Sequence, residues 1–179
     1  MTDSSAVYAA IRQFIAFDDD DAARLRGLAP LFAVHGPALT DRFYTKLAAE
    51  PEQAALIAGR VEALKQTHLR WLAELFAGDY GERYFAERWR IGLAHVRVGV
   101  RPWWVEAVTS FLRSEGLALL EAHIDDPAAR VAAARSLLKI LDLDLMIINL
   151  AYADDRVDRL CRFTGMSRKL IERCIAQGG

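Results

Sequence analysis

From Leu137 to Leu150 the chain reads Leu-Leu-Lys-Ile-Leu-Asp-Leu-Asp-Leu-Met-Ile-Ile-Asn-Leu, which is apolar around most of the circumference of a helix. A helix of this kind has to be covered on more than one side, by the core of its own chain and, as an expectation, by a second subunit. It is too short and too charged to cross a bilayer, which takes about 20 predominantly apolar residues. The fold must therefore gather other elements around this segment. Apolar positions spaced three and four apart recur almost everywhere else, and the two-residue alternation of half-buried strands is missing, so the expected fold class is all-α.

The remaining punctuation predicts the order of elements. A first helix is expected over about Ser4 to Ile15, and the acidic run Asp18 to Asp21 caps a second over about Asp20 to Val34. Gly36-Pro37 is expected to stop that helix and open another through Glu50, with Pro51 opening a short one after it. Val61, Leu64, Trp71, Leu72, Leu75 and Phe76 form a stripe broken by His68, and Gly78-Asp-Tyr-Gly81 ends it. Helices over about Glu82 to Arg97, Pro102 to His123 and Pro127 to Arg162 follow, then a short one through Ala176 capped by Ser167.

At 179 residues the chain is long enough for one well-buried core and is read as a single unit. Apolar residues make up 53% and charged residues 26%, which excludes a disordered tail. A net charge of -1 supplies no basic field, so no nucleic-acid partner is expected. The start Met1-Thr-Asp-Ser-Ser lacks the parts of an export signal, and with no membrane span a cytoplasmic location is expected. Cys161 and Cys174 form neither a zinc set nor a redox pair and are read as reduced packing thiols.

Two residues carry candidate chemistry. His95 ends a helical face shared with Tyr84, Arg88 and Ile91, just before the Gly99 break. An imidazole presented in this way can hold a haem iron from one side, or it can be a core histidine bonded to a backbone carbonyl. Tyr44 lies beside Phe43 on an earlier helix. Its hydroxyl can donate to the partly negative oxygen of bound dioxygen, or it can sit at the edge of the core as one more aromatic. His68 reads either as a second axial ligand or as a pocket-edge residue bonded to a propionate, water or backbone group, and His35 and His123 read as structural. Trp71, Trp89 and Trp103 read as core aromatics; Asp142, Asp144, Asp154, Asp155 and Asp158 read mostly as solvated helix faces, with no calcium-loop spacing. No phosphate loop, hydrolase triad or helical zinc signature is present.

The succession Phe43-Tyr44, Leu64-Lys-Gln-Thr67, Phe76-Ala-Gly78 and Arg90-Ile-Gly-Leu-Ala-His95-Val-Arg-Val-Gly99-Val-Arg-Pro102-Trp-Trp104 resembles the globin domain of globin-coupled sensors and their single-domain, protoglobin-like relatives. The resemblance covers roughly Asp20 to Leu150 and implies a globin fold with an extra N-terminal helix, residues 1–17, before a core of residues 18–162 and a short C-terminal helix within residues 163–179. It implies haem b as cofactor, His95 as proximal iron ligand, Tyr44 as distal hydrogen-bond donor and Phe43 packing on the haem. Leu64 and Thr67 match distal pocket positions, and His68, Ile91 and Val98 join the cofactor-binding set. Trp104 stands where relatives often carry tyrosine, which replaces a hydroxyl with an indole donor.

The function so implied is reversible binding of dioxygen, and of carbon monoxide and nitric oxide, in a gas or redox sensor. Ligation is expected to be signalled through a homodimer interface on the long C-terminal helices to an unknown downstream effector. The chain is read as a stand-alone member or as the sensor part of a longer protein. It is not expected to be an enzyme. The alternatives are a haem redox enzyme, such as a nitric oxide dioxygenase or a peroxidase-like protein fed by an external reductase, and a cofactor-free helical interaction module.

Overall fold

The computed structural model describes residues 4–177, and every regular element among them is helical. In chain order these are α1 (Ser4–Phe14), α2 (Asp19–Ala49), α3 (Pro51–Ile57), α4 (Val61–Leu75), α5 (Glu82–Val98), α6 (Pro102–His123), α7 (Pro127–Thr164) and α8 (Arg168–Gln177). The all-α expectation therefore holds, and most boundaries fall within a few residues of their sequence signals. None of these helices is long and apolar enough to cross a membrane.

Local chemistry explains the starts and stops. Asp18 caps α2 by accepting from the Asp21 N–H at 2.9 Å, and Asp21 returns a bond to the Asp18 N–H, a reciprocal capping box. Asp126 caps α7 through the Ala129 N–H at 2.7 Å, ahead of Pro127 in the first turn. Gly99, at φ +82°, ends α5 in the left-handed region, and the next N–H, that of Val100, bonds the His95 carbonyl at 3.0 Å. The backbone just past His95 is thereby fixed.

One boundary differs. The expected stop at Gly36-Pro37 is absent, and α2 runs unbroken through Pro30 and Pro37. Each proline forfeits one ladder bond, a loss that packing along α2 outweighs. Gly36 is buried at the crossing of α2 and α4, where a Cβ in its place would lie 2.8 Å from Leu72 Cδ2. It permits close approach of two helices and does not mark an end.

Helix α7 is the centre of the molecule, touching α2, α5, α6 and α8. Leu137, Ile140, Leu143, Ile147 and Ala151 on α7 are fully or almost fully buried, and Leu25, Leu75 and Leu120 meet them from other helices. Each such Leu or Ile contributes roughly 1.5 to 3 kcal/mol by leaving water. The remaining side of the apolar segment lines a surface groove with Asp142, Leu145, Met146, Asn149 and Leu150. Helix α1 covers the turn between α4 and α5, where Tyr8 and Arg12 donate to the Tyr80 carbonyl at 2.8 and 2.9 Å. Helix α8 folds back on α7, held by Arg168 against Asp154 and Asp158.

Candidate functional site

Helix α4 packs on α2 and α5 packs on α7, whereas α4 and α5 share no extended contact. Each of the two pairs carries part of the candidate chemistry. On α5, the His95 ring places Nδ1 2.9 Å from the carbonyl oxygen of Ile91, one turn back. With Nδ1–H donating there, Nε2 carries the lone pair, and it has no partner among the described residues. Burial lowers the His95 pKa, against the opposing effects of the Ile91 bond and the Asp144 charge. The neutral, lone-pair form is therefore favoured, which is the form that ligates metals.

What holds this imidazole is the seating of α5 on α7. Gly92, three residues before His95, is buried against α7, where a Cβ would fall 2.7 Å from Ala151 Cβ and 3.0 Å from the Ile148 carbonyl oxygen. Ile91 packs with Val105, Ile148 and Tyr152, and Tyr152 donates its hydroxyl to the Val100 carbonyl at 2.8 Å. These contacts fix both the turn before His95 and the turn after it.

The second group lies on α2, α3 and α4. Phe43, Tyr44 and Ile57 are buried together, with Leu47, Val61 and Leu64 against them. The His68 ring lies 4.9 Å from that of Phe43 and 6.2 Å, edge-on, from that of Tyr44, measured between centroids. Thr40 Oγ1 is 2.9 Å from His68 Nδ1, while His68 Nε2 is buried with no hydrogen-bond partner. Burial pushes the His68 pKa down to about 4 and that of Tyr44 up to about 12. The Tyr44 hydroxyl, like His68 Nε2, has no partner among the described residues. Leaving a buried polar group unmet costs about 1 to 3 kcal/mol, which makes His68 Nε2 a candidate point of contact for a group from outside the chain.

The other residues singled out from sequence separate into three groups. Leu64 and Ile91 pack at the distal and proximal clusters respectively. Trp104 is half-buried and its indole N–H points to Glu52 Oε2 on α3 at 3.4 Å. Thr67 is exposed and its hydroxyl donates to the Ala63 carbonyl of its own helix at 3.0 Å, and Val98 is 41% exposed outside every apolar cluster. Neither Thr67 nor Val98 belongs to the apolar clusters that hold Tyr44 and Ile91. Trp103 is also exposed, against the reading of it as a core aromatic, and Cys174 is exposed where a packing thiol was expected.

The largest correction concerns Asp144, which the sequence reading left among solvated acids. It is 2% exposed, and its Oδ1 accepts from Arg88 Nε at 2.6 Å and the Tyr84 hydroxyl at 2.8 Å. Its Oδ2 accepts from Trp71 Nε1 at 2.9 Å. Arg88 is fully buried, pairs also with Glu74, and stacks over the Tyr84 ring at 4.3 Å. The periodic signal was available: Tyr84 and Arg88 share a helical face, and a charge on a buried face requires a partner. An acid inside an apolar run was the partner on offer.

A neutral imidazole on α5 with Nε2 unbonded, together with a tyrosine hydroxyl on α2 and a second unbonded imidazole nitrogen on α4 among apolar side chains, is a donor set of the kind that fits an iron porphyrin held by a protein nitrogen. Among the described residues no group of three or more His, Cys, Asp or Glu is placed to hold a metal ion as a chelating set.

The chain is similar to known proteins over most of its length. Residues 5–168 match the family model described as Protoglobin. The chain is 32% identical over 159 residues to the heme-based aerotactic transducer HemAT of Halobacterium salinarum, covering 82% of this chain and 32% of that protein's length. Among solved structures it is similar to the globin domain of the Geobacter sulfurreducens globin-coupled sensor, at 35% identity and a TM-score of 0.78, covering 80% of this chain and 96% of that one. The globin domain of E. coli DosC in its ferric form superposes at a TM-score of 0.65 and 17% identity, over 74% of this chain and 89% of that one, a likeness of fold. The fold is that of a globin.

Proposed function

This chain belongs to the protoglobin family, and from that premise we propose that it is a haem b globin that reversibly binds dioxygen, with carbon monoxide and nitric oxide as further ligands, and acts as a gas sensor. When bound, haem b would supply an iron able to take a protein nitrogen and a diatomic gas as ligands. The observation that carries the reading is His95: its Nδ1 is spent on the Ile91 carbonyl, which orients the ring and leaves Nε2 for the iron. On the distal side the Tyr44 hydroxyl donates to the bound gas, and Phe43, Ile57 and Leu64 keep water out. Dioxygen accumulates more negative charge than carbon monoxide, so the tyrosine favours it.

Sensing is supported by the named relatives, an aerotactic transducer and a globin-coupled sensor. The signal passes from α5 to α7 at the Gly92 crossing, and the exposed apolar side of α7 pairs with a second copy in a homodimer. A downstream effector receives it. A redox reading, nitric oxide dioxygenation or peroxidase-like turnover, needs electrons from a separate reductase. Multiple turnovers of nitrate formation under reductant favour it, and a single stoichiometric reaction favours the sensor.

The deciding experiment is a haem titration of wild-type protein and His95→Ala followed by absorption spectroscopy. Wild type is expected to give the bands of an axially ligated haem, and His95→Ala to lose them. An identical spectrum in His95→Ala removes His95 as the ligand. His68 offers a second reading of the resting state, favoured by its buried, unpartnered Nε2: this nitrogen occupies the gas position until ligand displaces it. A ferric spectrum of two-histidine ligation that disappears in His68→Leu supports it, and an unchanged ferric spectrum rejects it.

A further inference from the structure

The Asp144 carboxylate is the one group on α7 that the described hydrogen bonds tie to both α4 and α5. On α4 it holds Trp71 by the indole N–H, and the Trp71 ring lies 5.1 Å from the His68 ring, tilted by 32°. His68 is in turn braced by Thr40 and Phe43 on α2. On α5 the same carboxylate holds Tyr84 and Arg88, and Arg88 reaches back to α4 at Glu74 and at the Trp71 carbonyl, 3.4 Å away. Its charge also acts on His95. Every polar atom of this carboxylate is engaged at good geometry, so it is a rigid joint. Fixed joints of this kind set the position of groups that themselves touch a ligand.

We propose that Asp144 is a positioning residue for the gas site: from α7 it fixes Trp71, and through the Trp71 ring the His68 imidazole, while anchoring Tyr84 and Arg88 on the helix that carries His95. The bond between Trp71 Nε1 and Asp144 Oδ2 links the α4 side of the distal wall to α7. A displacement of His68 is delivered to α7 at Asp144, and a displacement of α5 is delivered at Gly92 and Arg88. These points lie on one helix, within about two turns of each other. The same helix carries the exposed groove that begins at Asp142. The distal wall thus has its own route to α7, separate from the bond between His95 and the iron.

The proposal rests on the haem reading above, and its test separates the two. Trp71→Phe removes the N–H and keeps an aromatic ring; Asp144→Asn keeps the shape and removes the charge. In haem-free protein, NMR of the His68 ring protons reads the positioning directly. Both variants are expected to shift those resonances, whereas Trp89→Phe, which removes an indole elsewhere in the core, is expected to leave them in place. In haem-loaded protein, Trp71→Phe is expected to change the carbon monoxide and dioxygen dissociation rates about threefold or more at temperatures well below unfolding. The double variant is expected to go no further than Asp144→Asn alone, because one bond carries both effects. His68 resonances unmoved in Trp71→Phe, a Trp89→Phe shift of equal size, or fully multiplicative rate effects in the double variant would overturn the proposal. Failure of wild type to take up haem removes the functional reading, while the His68 resonances still decide this one.

Discussion

Two buried polar clusters lie on either side of the Trp71 ring, and they differ in how fully they are satisfied. Around Asp144 each oxygen has a donor, each Arg88 nitrogen has an acceptor, and the Tyr84 hydroxyl is used. Around His68 and Tyr44 a ring nitrogen is sealed from water with nothing among the described residues to bond, and a phenol hydroxyl beside it also lacks a partner there. A closed network stabilises and positions, while an open one recognises. The same burial that makes the first rigid makes the second receptive, because a ligand that meets its unspent donors and acceptors gains what folding left unmet.

The sharpest way to break this contrast is to open the closed cluster. Arg88→Met leaves the Asp144 carboxylate buried with two neutral donors, which is expected to cost about 3 to 5 kcal/mol of folding stability in urea denaturation. Pairing it with Asp144→Leu is expected to return a substantial part of that loss, since the unpaired charge is then gone. A loss under about 1 kcal/mol in the single variant would mean that water reaches Asp144 and that the cluster is not closed.

How the two clusters appear in the sequence follows from the same physics. The helices were legible because period and punctuation are local signals, and His95 and Tyr44 were singled out as candidates through the motifs around them. Asp144 was not, because an acid in an apolar run reads as solvated until its partners, 56 residues or more away in sequence, are seen to converge on it. Gly36 was misread for a related reason: glycine followed by proline is a stop signal locally, and only the crossing with Leu72 reveals its use. Thr67 shares a motif with Leu64, but its hydroxyl is bonded to its own helix, a choice that spacing does not determine.

The next effect is one of pH, and it probes the open cluster. His68 has its folded pKa lowered to about 4 from 6.5 by burial. Between these values the unfolded chain binds a proton that the native ring refuses, so unfolding gains protons and stability falls as pH drops through that window. The haem-free protein is expected to lose on the order of 2 to 3 kcal/mol between pH 7 and pH 4 from this group. His68→Phe is expected to remove most of that dependence, and denaturation midpoints at pH 7 and pH 4.5 check it. Asp21 behaves otherwise. Burial alone would raise its pKa, but bonds from Lys139, Ser136 and the Asp18 N–H prevail and hold it below the ordinary value of 3.8, so its contribution is lost only under more acid conditions.

The smallest effect in stability is the most discriminating in function. Tyr84→Phe and Tyr44→Phe delete the same atom from two buried phenols. At Tyr84 the hydroxyl donates to a buried carboxylate, and its loss is expected to cost about 1.5 to 3 kcal/mol of stability, with little change in gas dissociation. At Tyr44 the hydroxyl bonds nothing in the chain, so haem-free Tyr44→Phe is expected to be as stable as wild type or slightly more so. In haem-loaded protein the order reverses. Tyr44→Phe removes the donor to bound dioxygen and is expected to raise its dissociation rate about tenfold to a hundredfold, the equivalent of about 1.5 to 3 kcal/mol, with a smaller change for carbon monoxide. Denaturation curves and stopped-flow dissociation on the same two variants supply both axes. If Tyr44→Phe destabilises the haem-free protein as Tyr84→Phe does while leaving dioxygen dissociation unchanged, the hydroxyl has a structural partner, and the distal cluster is closed after all.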